Sequence, residues 1–373
     1  MFSNKKNSIT AFTFFLLTFC LKIHAEQVTF SDSLLQRFAH HALSDSVKVF
    51  TSENCSSIEY FQVERENIRS LNGIECMRDL RILKIAHNNI ADAQPVTALN
   101  SLKVLDFSHN PLESIDPISK LITIEWLKIN GTGINDPSAI SKLSNLFYLS
   151  ISHNNISNLQ ALSSLLNLQE LDLSRNRLSS LNYLQDLRSL KVLKINRNTI
   201  RSTWGIEQSN VLEKIEARNN VIDDIQNLKS LNKLKHLELS NNKIVDISSL
   251  KNLNKLETLR LANNEISDLL PLEALTSLKE LRLDANKIED LSPLKKLQNL
   301  KVLDLGDNQI QDLRPLSGLY KLEVLRLSQN RVHDIEPILE LPNLLVLEIW
   351  GNKLGKISKR SIKKLNRLQV KVD

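Results

Sequence analysis

Aromatic residues make up only 5% of the 373 positions, and methionine (2), cysteine (3) and glycine (8) are just as sparse. With so few rings, a large core must be filled by aliphatic side chains, in line with a hydrophobic content of 42%. Beyond the first 25 residues no stretch approaches 18 apolar positions, so no membrane-spanning helix is expected there. Glycine-rich phosphate loops, nucleophile elbows and Cys/His metal spacings are all missing. No enzymatic activity, cofactor or metal is therefore expected. A strong excess of positive charge is also lacking. The formal charge is +6, and without Lys5, Lys6 and Lys22 it falls to 45 basic against 42 acidic residues, too little to imply a nucleic-acid partner.

What the chain has in abundance is periodicity. Asparagine recurs every 22 residues at Asn88, Asn110, Asn154, Asn176, Asn198, Asn220, Asn242, Asn264, Asn286, Asn308, Asn330 and Asn352, with Thr132 filling the one gap. Each lies in the frame Leu-x-x-Leu-x-Leu-x-x-Asn-x-Ile, which marks a leucine-rich-repeat solenoid. The expected fold is α/β, a right-handed, horseshoe-curved solenoid with a parallel concave sheet and a 3₁₀ or irregular convex side.

Leu237-Glu238-Leu239 illustrates one coil: alternation gives a short strand with leucines inward and Glu238 outward. The turn at Asn242 leaves backbone groups that its amide can satisfy. Ile244, Ile247, Leu250, Leu253 and Leu256 then follow at steps of three, which suits a 3₁₀-like return. Pro95, Pro117, Pro271, Pro293, Pro315 and Pro337 fall on that return, where no sheet bond needs their missing N–H. Asp246, Asp268, Asp290, Asp312 and Asp334 just before it read as turn caps rather than catalytic carboxylates.

Residues 1–25 read as a secretory leader, with Lys5 and Lys6 ahead of the apolar run Ala11–Leu21 and a small Ala25 at the cleavage point. Residues 26–57 form the expected helical N-terminal cap, its helix capped by Ser31 or Asp32 and apolar along Leu34, Leu35, Phe38 and Ala42. Repeats occupy 58–354, as one degenerate coil with Glu66 in the asparagine slot and thirteen regular coils. Residues 355–373 form the C-terminal cap, with Ile357, Ile362, Leu365 and Leu368 available to cover the last coil. The basic residues around them suit either a solvated cap face or an electrostatic contact. In an exported chain Cys55 and Cys76, about one coil apart, can form a disulfide; two buried free thiols are the alternative.

The fixed register shows which side chains face outward on the sheet. One column runs Lys84, Asp106, Lys128, Ser150, Asp172 and onward, strongly charged and mixed in sign. Beside it lie Ile82, Val104, Trp126, Tyr148, Glu170 and Val192. Trp126 and Tyr148 on consecutive coils, with Phe147 one position earlier, are what an interface anchor looks like. The candidate protein-binding residues are therefore Lys84, Asp106, Trp126, Lys128, Phe147, Tyr148 and Asp172, with shielding of the sheet as the competing role. Trp350 marks another candidate surface, and Trp204 on the loop side is expected to pack locally. His87, His109 and His153 share one column, interrupted by Gly131, and read as turn residues rather than metal ligands.

The 22-residue frame, the Asp-Ile-x-Pro-Leu return, Phe30-Ser31-Asp32 before a short helix, and Ser70-Leu71-Asn72-Gly73-Ile74-Glu75 before the first regular coil together resemble the internalins, secreted or surface leucine-rich-repeat proteins of bacteria. The resemblance spans residues 26–354 and implies binding of a host surface protein through the concave sheet. Neither an immunoglobulin-like module nor a wall-sorting tail follows the repeats, so a released or periplasmic monomer is expected rather than wall-anchored display. The rival readings are a cytosolic phosphatase-regulating scaffold, which uses a similar 22-residue repeat, and a structural protein of the envelope.

Overall fold

Every 22-residue step lays down one three-residue strand, because both leucines of each Leu-x-Leu run leave water while the residue between them stays outward. In the computed structural model, which describes residues 27–43, 49–367 and 370–373, these strands stack into a single sheet. The expected leader lies outside the described residues. The strands are β1 (Tyr60–Gln62), β2 (Ile82–Lys84), β3 (Val104–Asp106), β4 (Trp126–Lys128) and β5 (Tyr148–Ser150), continuing at the same step to β14 (Val346–Glu348) and closing with β15 (Lys371–Val372). All fifteen pair in chain order, and every pairing is parallel, as in a curved leucine-rich-repeat solenoid. Leu83, Leu105, Leu127 and Leu149 stand opposite one another in register and are fully buried.

The return path is mostly 3₁₀. Gln94–Ala98, Asp116–Lys120 and Ser292–Lys296 carry Pro95, Pro117 and Pro293 in their first turn. The aspartates before the returns cap them: Asp246 accepts the Ser248 N–H at 2.8 Å, and Asp312 the Arg314 N–H at 2.9 Å. The coils returning from Asp172 and Lys194 have turns only. There the proline slot holds Tyr183 and Gly205, both at positive φ (76° and 106°). A Cβ on Gly205 would lie 2.5 Å from the Leu181 carbonyl oxygen, so the neighbouring coil admits only glycine.

The asparagines join coils as well as shaping turns. Asn242 Nδ2 donates to Leu239 O in its own coil (2.8 Å) and to Ala217 O in the coil before (3.1 Å), while Oδ1 accepts the Ile222 N–H (3.0 Å). Thr132 manages only part of this: its hydroxyl donates to Ile129 O, and its N–H turns to Asn154 Oδ1.

At the N-terminal end α1 (Ser33–Leu43) is capped by Asp32, whose Oδ1 accepts the Leu34 and Leu35 N–H groups. Asp32 Oδ2 accepts the Arg69 N–H at 2.8 Å, tying the cap helix to the first coil. The buried face of α1 is Leu35 and Ala39; Ala42, expected on it, is exposed, because Leu35 and Ala39 at i and i+4 already fill the contact. A short helix, α2 (Ser52–Ser56), carries Cys55, which is disulfide-bonded to Cys76 with Cα atoms 5.5 Å apart. At the other end α3 (Lys356–Arg367) buries Leu365. The chain then returns as β15 on β14, a final strand that the decaying repeat did not reveal. Among the described residues no helix is long and apolar enough to cross a membrane.

Candidate functional site on the concave sheet

Two outward columns flank the buried leucines. The first is apolar for five consecutive coils, Tyr60, Ile82, Val104, Trp126 and Tyr148, before Glu170 ends it. Tyr60, half-exposed on β1, extends the stripe toward the cap; the same 22-residue step would have found it. The Trp126 and Tyr148 rings stack with centroids 4.8 Å apart and planes 14° from parallel. Lys128 Nζ sits 4.6 Å from the Trp126 centroid and 5.8 Å from that of Tyr148, so one ammonium serves both rings. Burial, then the carboxylates of Asp172 and Glu170, push the Tyr148 phenol above its ordinary value.

The charged column divides into two regimes. Lys84, Asp106, Lys128 and Asp172 have no ion-pair partner among the described residues; Asp106 and Asp172 accept the N–H of Ser108 and Ser174. Further along, Arg260 lies between Glu238 (3.8 Å) and Glu280 (3.0 Å), and Arg282 closes on Glu280 at 2.6 Å. Arg326 likewise bridges Asp304 (3.6 Å) and Glu348 (2.9 Å).

A rim just before the strands, overlooked in the sequence, pairs opposite charges on neighbouring coils. Lys103 pairs with Glu125, Lys235 with Glu213, Lys279 with Glu257 and Lys301 with Glu323, all within 2.8 Å. Phe147 occupies this rim next to Glu125 and is 42% exposed, beside Tyr148. It therefore widens the aromatic patch at a place where the ionic rim is interrupted.

The histidine column adopts left-handed backbone, with φ of 57° at His87 and His109 and 58° at His153. His87 and His109 stack at 4.3 Å, and His153 meets His109 edge-on at 6.3 Å. A Cβ at Gly131 would lie 2.6 Å from His109 Nδ1, so that glycine leaves room for the ring. Among the described residues no group of three or more His, Cys, Asp or Glu could hold a metal. Trp204 departs from its expected local packing: it is 50% exposed, at the frame position where Leu270, inside a 3₁₀ turn, is exposed as well. Trp350 is also exposed, near the C-terminal end of the sheet.

An open face of parallel strands, rigid and carrying its chemistry on outward side chains, defines a repeat scaffold of a kind that generally binds proteins rather than catalyses. Models of leucine-rich repeats match residues 78–120, 254–296, 298–340 and 321–364 in paired copies, and 167–187 and 233–253 as single repeats. An internalin (InlF) from Listeria monocytogenes shares 28% identity over 94% of this chain and 98% of its own, with a TM-score of 0.77. A leucine-rich-repeat protein of Leptospira interrogans shares the fold at 24% identity, over 86% of this chain and 97% of its own (TM-score 0.74). The functional domain of InlJ from Listeria monocytogenes, which includes a cysteine ladder, does so at 19%, over 87% and 82% (TM-score 0.64). No curated protein matches the chain by sequence. The chain is an internalin-like leucine-rich-repeat protein.

Proposed function

We propose that this is an exported protein that binds another protein through the concave sheet, as part of an interaction with a host. Trp126, Tyr148 and Phe147 are the anchors, and Lys84, Asp106, Lys128 and Asp172 surround them. The observation that carries this reading is the Trp126–Tyr148 stack under Lys128. Rings already ordered by stacking lose little rotamer freedom on binding, and Trp and Tyr are enriched at interface hot spots. The unpaired charges beside them remain available to a partner, whereas those of the far half are committed to one another. Export is supported by the basic-then-apolar leader and by the Cys55–Cys76 bond, which persists in an oxidising compartment.

The test is to probe extracellular and host-surface proteins with the full chain and with the Trp126→Ala/Tyr148→Ala double variant. A bound protein should be released by the variant with a loss of about 30-fold or more in affinity, while the melting temperature stays nearly constant. Undiminished binding removes the patch from consideration. Independently, an intact Met1 on the protein isolated from its producing cells overturns export and favours the cytosolic scaffold.

A further inference from the structure

The middle of the concave face carries a second set of charges, beyond the aromatic patch and bordering it at Asp172. The position preceding each ladder asparagine is left-handed, and in the coils after His153 it is held by Arg175 (φ 56°) and Arg197 (φ 58°). Further along it is Asn219, Asn241 and Asn263, whose short polar side chains suit that backbone far better than arginine does. The Arg175 N–H donates to Asn196 O at 2.7 Å, and the Arg197 N–H to Arg218 O at 2.8 Å, so the three arginines are set by successive inter-coil bonds. They share a groove of about 760 Å³ with Asn196 and His153.

Other charges in that groove are matched: Lys214 with Glu216 at 2.7 Å and Arg260 with Glu238 at 3.8 Å. Asp172, at the edge of the aromatic patch, also lines the groove; it accepts the Ser174 N–H and has no ion-pair partner among the described residues. Arg175, Arg197 and Arg218 are exposed and have no ion-pair partner among the described residues. Their field reaches His153, whose imidazole is held below its ordinary value by burial and then by Arg175 and Arg197, against the pull of Asp172.

We propose that this groove binds a sulfated polysaccharide, whose sulfate groups sit on the Arg175, Arg197 and Arg218 guanidiniums. A guanidinium fork matches a tetrahedral oxyanion with paired N–H bonds. Arg175 and Arg197 repeat that fork on adjacent coils about 4.8 Å apart, and Arg218, one position earlier in the next coil, adds a third beside them, a spread that a polymer bearing several anions can span and a single ion cannot. The apolar residues of the groove, Ile215 and Leu237, are buried beneath the sheet, so it offers no anchor pocket for a protein partner. It holds no Trp, Tyr or Phe on which successive nucleic-acid bases would stack, its only rings being the imidazoles of His153 and His236.

The experiment titrates the full chain with heparin at about 0.15 M salt, where exposed charges are partly screened. Wild type should bind, and Arg175→Gln/Arg197→Gln/Arg218→Gln should weaken binding at least tenfold. Single Arg197→Gln should lose severalfold, which keeps the test alive if the triple variant misfolds. Trp126→Ala/Tyr148→Ala should bind heparin as wild type does, separating this site from the aromatic patch. The proposal is overturned if wild type does not bind or the arginine variants bind normally. A loss found instead in Lys356→Gln/Arg360→Gln/Lys363→Gln overturns it too, as does polyglutamate occupying the same arginines as tightly as heparin.

Discussion

The two halves of the concave sheet share one backbone and use their outward side chains in opposite ways. From Tyr60 to Tyr148 an apolar stripe ends in stacked rings, beside a column whose charges have no ion-pair partner among the described residues. From Glu238 to Glu348 the same columns hold arginines bridged by carboxylates on neighbouring coils. A repeat therefore fixes where a side chain stands without fixing what it does. Where charges satisfy one another, the face is self-contained; where they do not, it remains open to a partner. Exposed pairs contribute little stability each, so the far half is better understood as neutralised than as reinforced.

The largest expected effect should ignore the boundary between the halves. Asn154 and Asn242 make equivalent bonds: Asn154 Nδ2 donates to Ile129 O and Ile151 O, and its Oδ1 accepts the Thr132 and Gly133 N–H groups. Replacing either by Ala removes the acceptor of buried backbone N–H groups, Thr132 and Gly133 for Asn154 and Ile222 for Asn242, while the carbonyls keep a second donor, at a cost of about 2 kcal/mol. Denaturant unfolding of Asn154→Ala and Asn242→Ala should give losses within about 1 kcal/mol of each other. A much smaller loss at Asn154, where the ladder is already weakened by Thr132, would show that the halves do not share one frame.

The next effect separates them. Burial pushes the Glu280 carboxyl up, but bonds from Arg260 and Arg282 outweigh it and hold the group below the ordinary glutamate value. Its folded-state value is depressed, so its stabilisation is complete above the ordinary value near 4.3 and is lost as pH falls through the depressed one. Glu280→Gln should cost about 1 kcal/mol at neutral pH and flatten that acid-induced loss. Asp106→Asn, on an unpaired carboxylate of the near half, should change stability by less than about 0.5 kcal/mol. Equal losses from the two variants would erase the distinction drawn between the halves.

The solenoid could be read from the sequence because 22-residue spacing, buried leucines and turn asparagines all report the same backbone. The same ruler placed Trp126 beside Tyr148 and would have placed Tyr60 and the rim pairs had it been extended to their columns. Other features were invisible to it. The final strand at Lys371–Val372 follows a helix outside the frame and shows only through its pairing with β14. Which outward charges pair is also hidden, since Lys84, Asp106 and Lys128 alternate in sign as the far column does and yet stay apart.

A smaller change sharpens the aromatic patch. Lys128→Gln removes the ammonium over Trp126 and Tyr148, an interaction of about 0.5–1 kcal/mol at an exposed site. Partner affinity should fall about threefold with the fold intact. A loss as large as that of the Trp126→Ala/Tyr148→Ala variant would mean that Lys128 makes a direct contact of its own, and that the rings mainly shield the sheet.

The smallest effect concerns the turn column, which holds His87, His109 and His153 in the near half and Asn241 and Asn263 in the far half. Burial, then the neighbouring His87 and His153, hold the His109 imidazole below its ordinary value, with Asp106 opposing them. A depressed imidazole is neutral in the folded chain where the unfolded one begins to protonate. Its contribution is therefore complete above the ordinary value near 6.5 and is lost as pH falls through the depressed one. The rings are exposed, so the change in stability should be slight, and the sensitive readout is the His109 titration followed by NMR. Its midpoint should lie below that of an unstacked histidine and rise toward it in His87→Ala, which removes one neighbouring charge. A His109 midpoint unmoved by that substitution would mean the stack does not form in solution. If it does form, the two halves respond to acid in separate windows, the near half around the imidazole range and the far half around the carboxylate range. A binding face built on the first would then lose its arrangement well before the ionic half loosens.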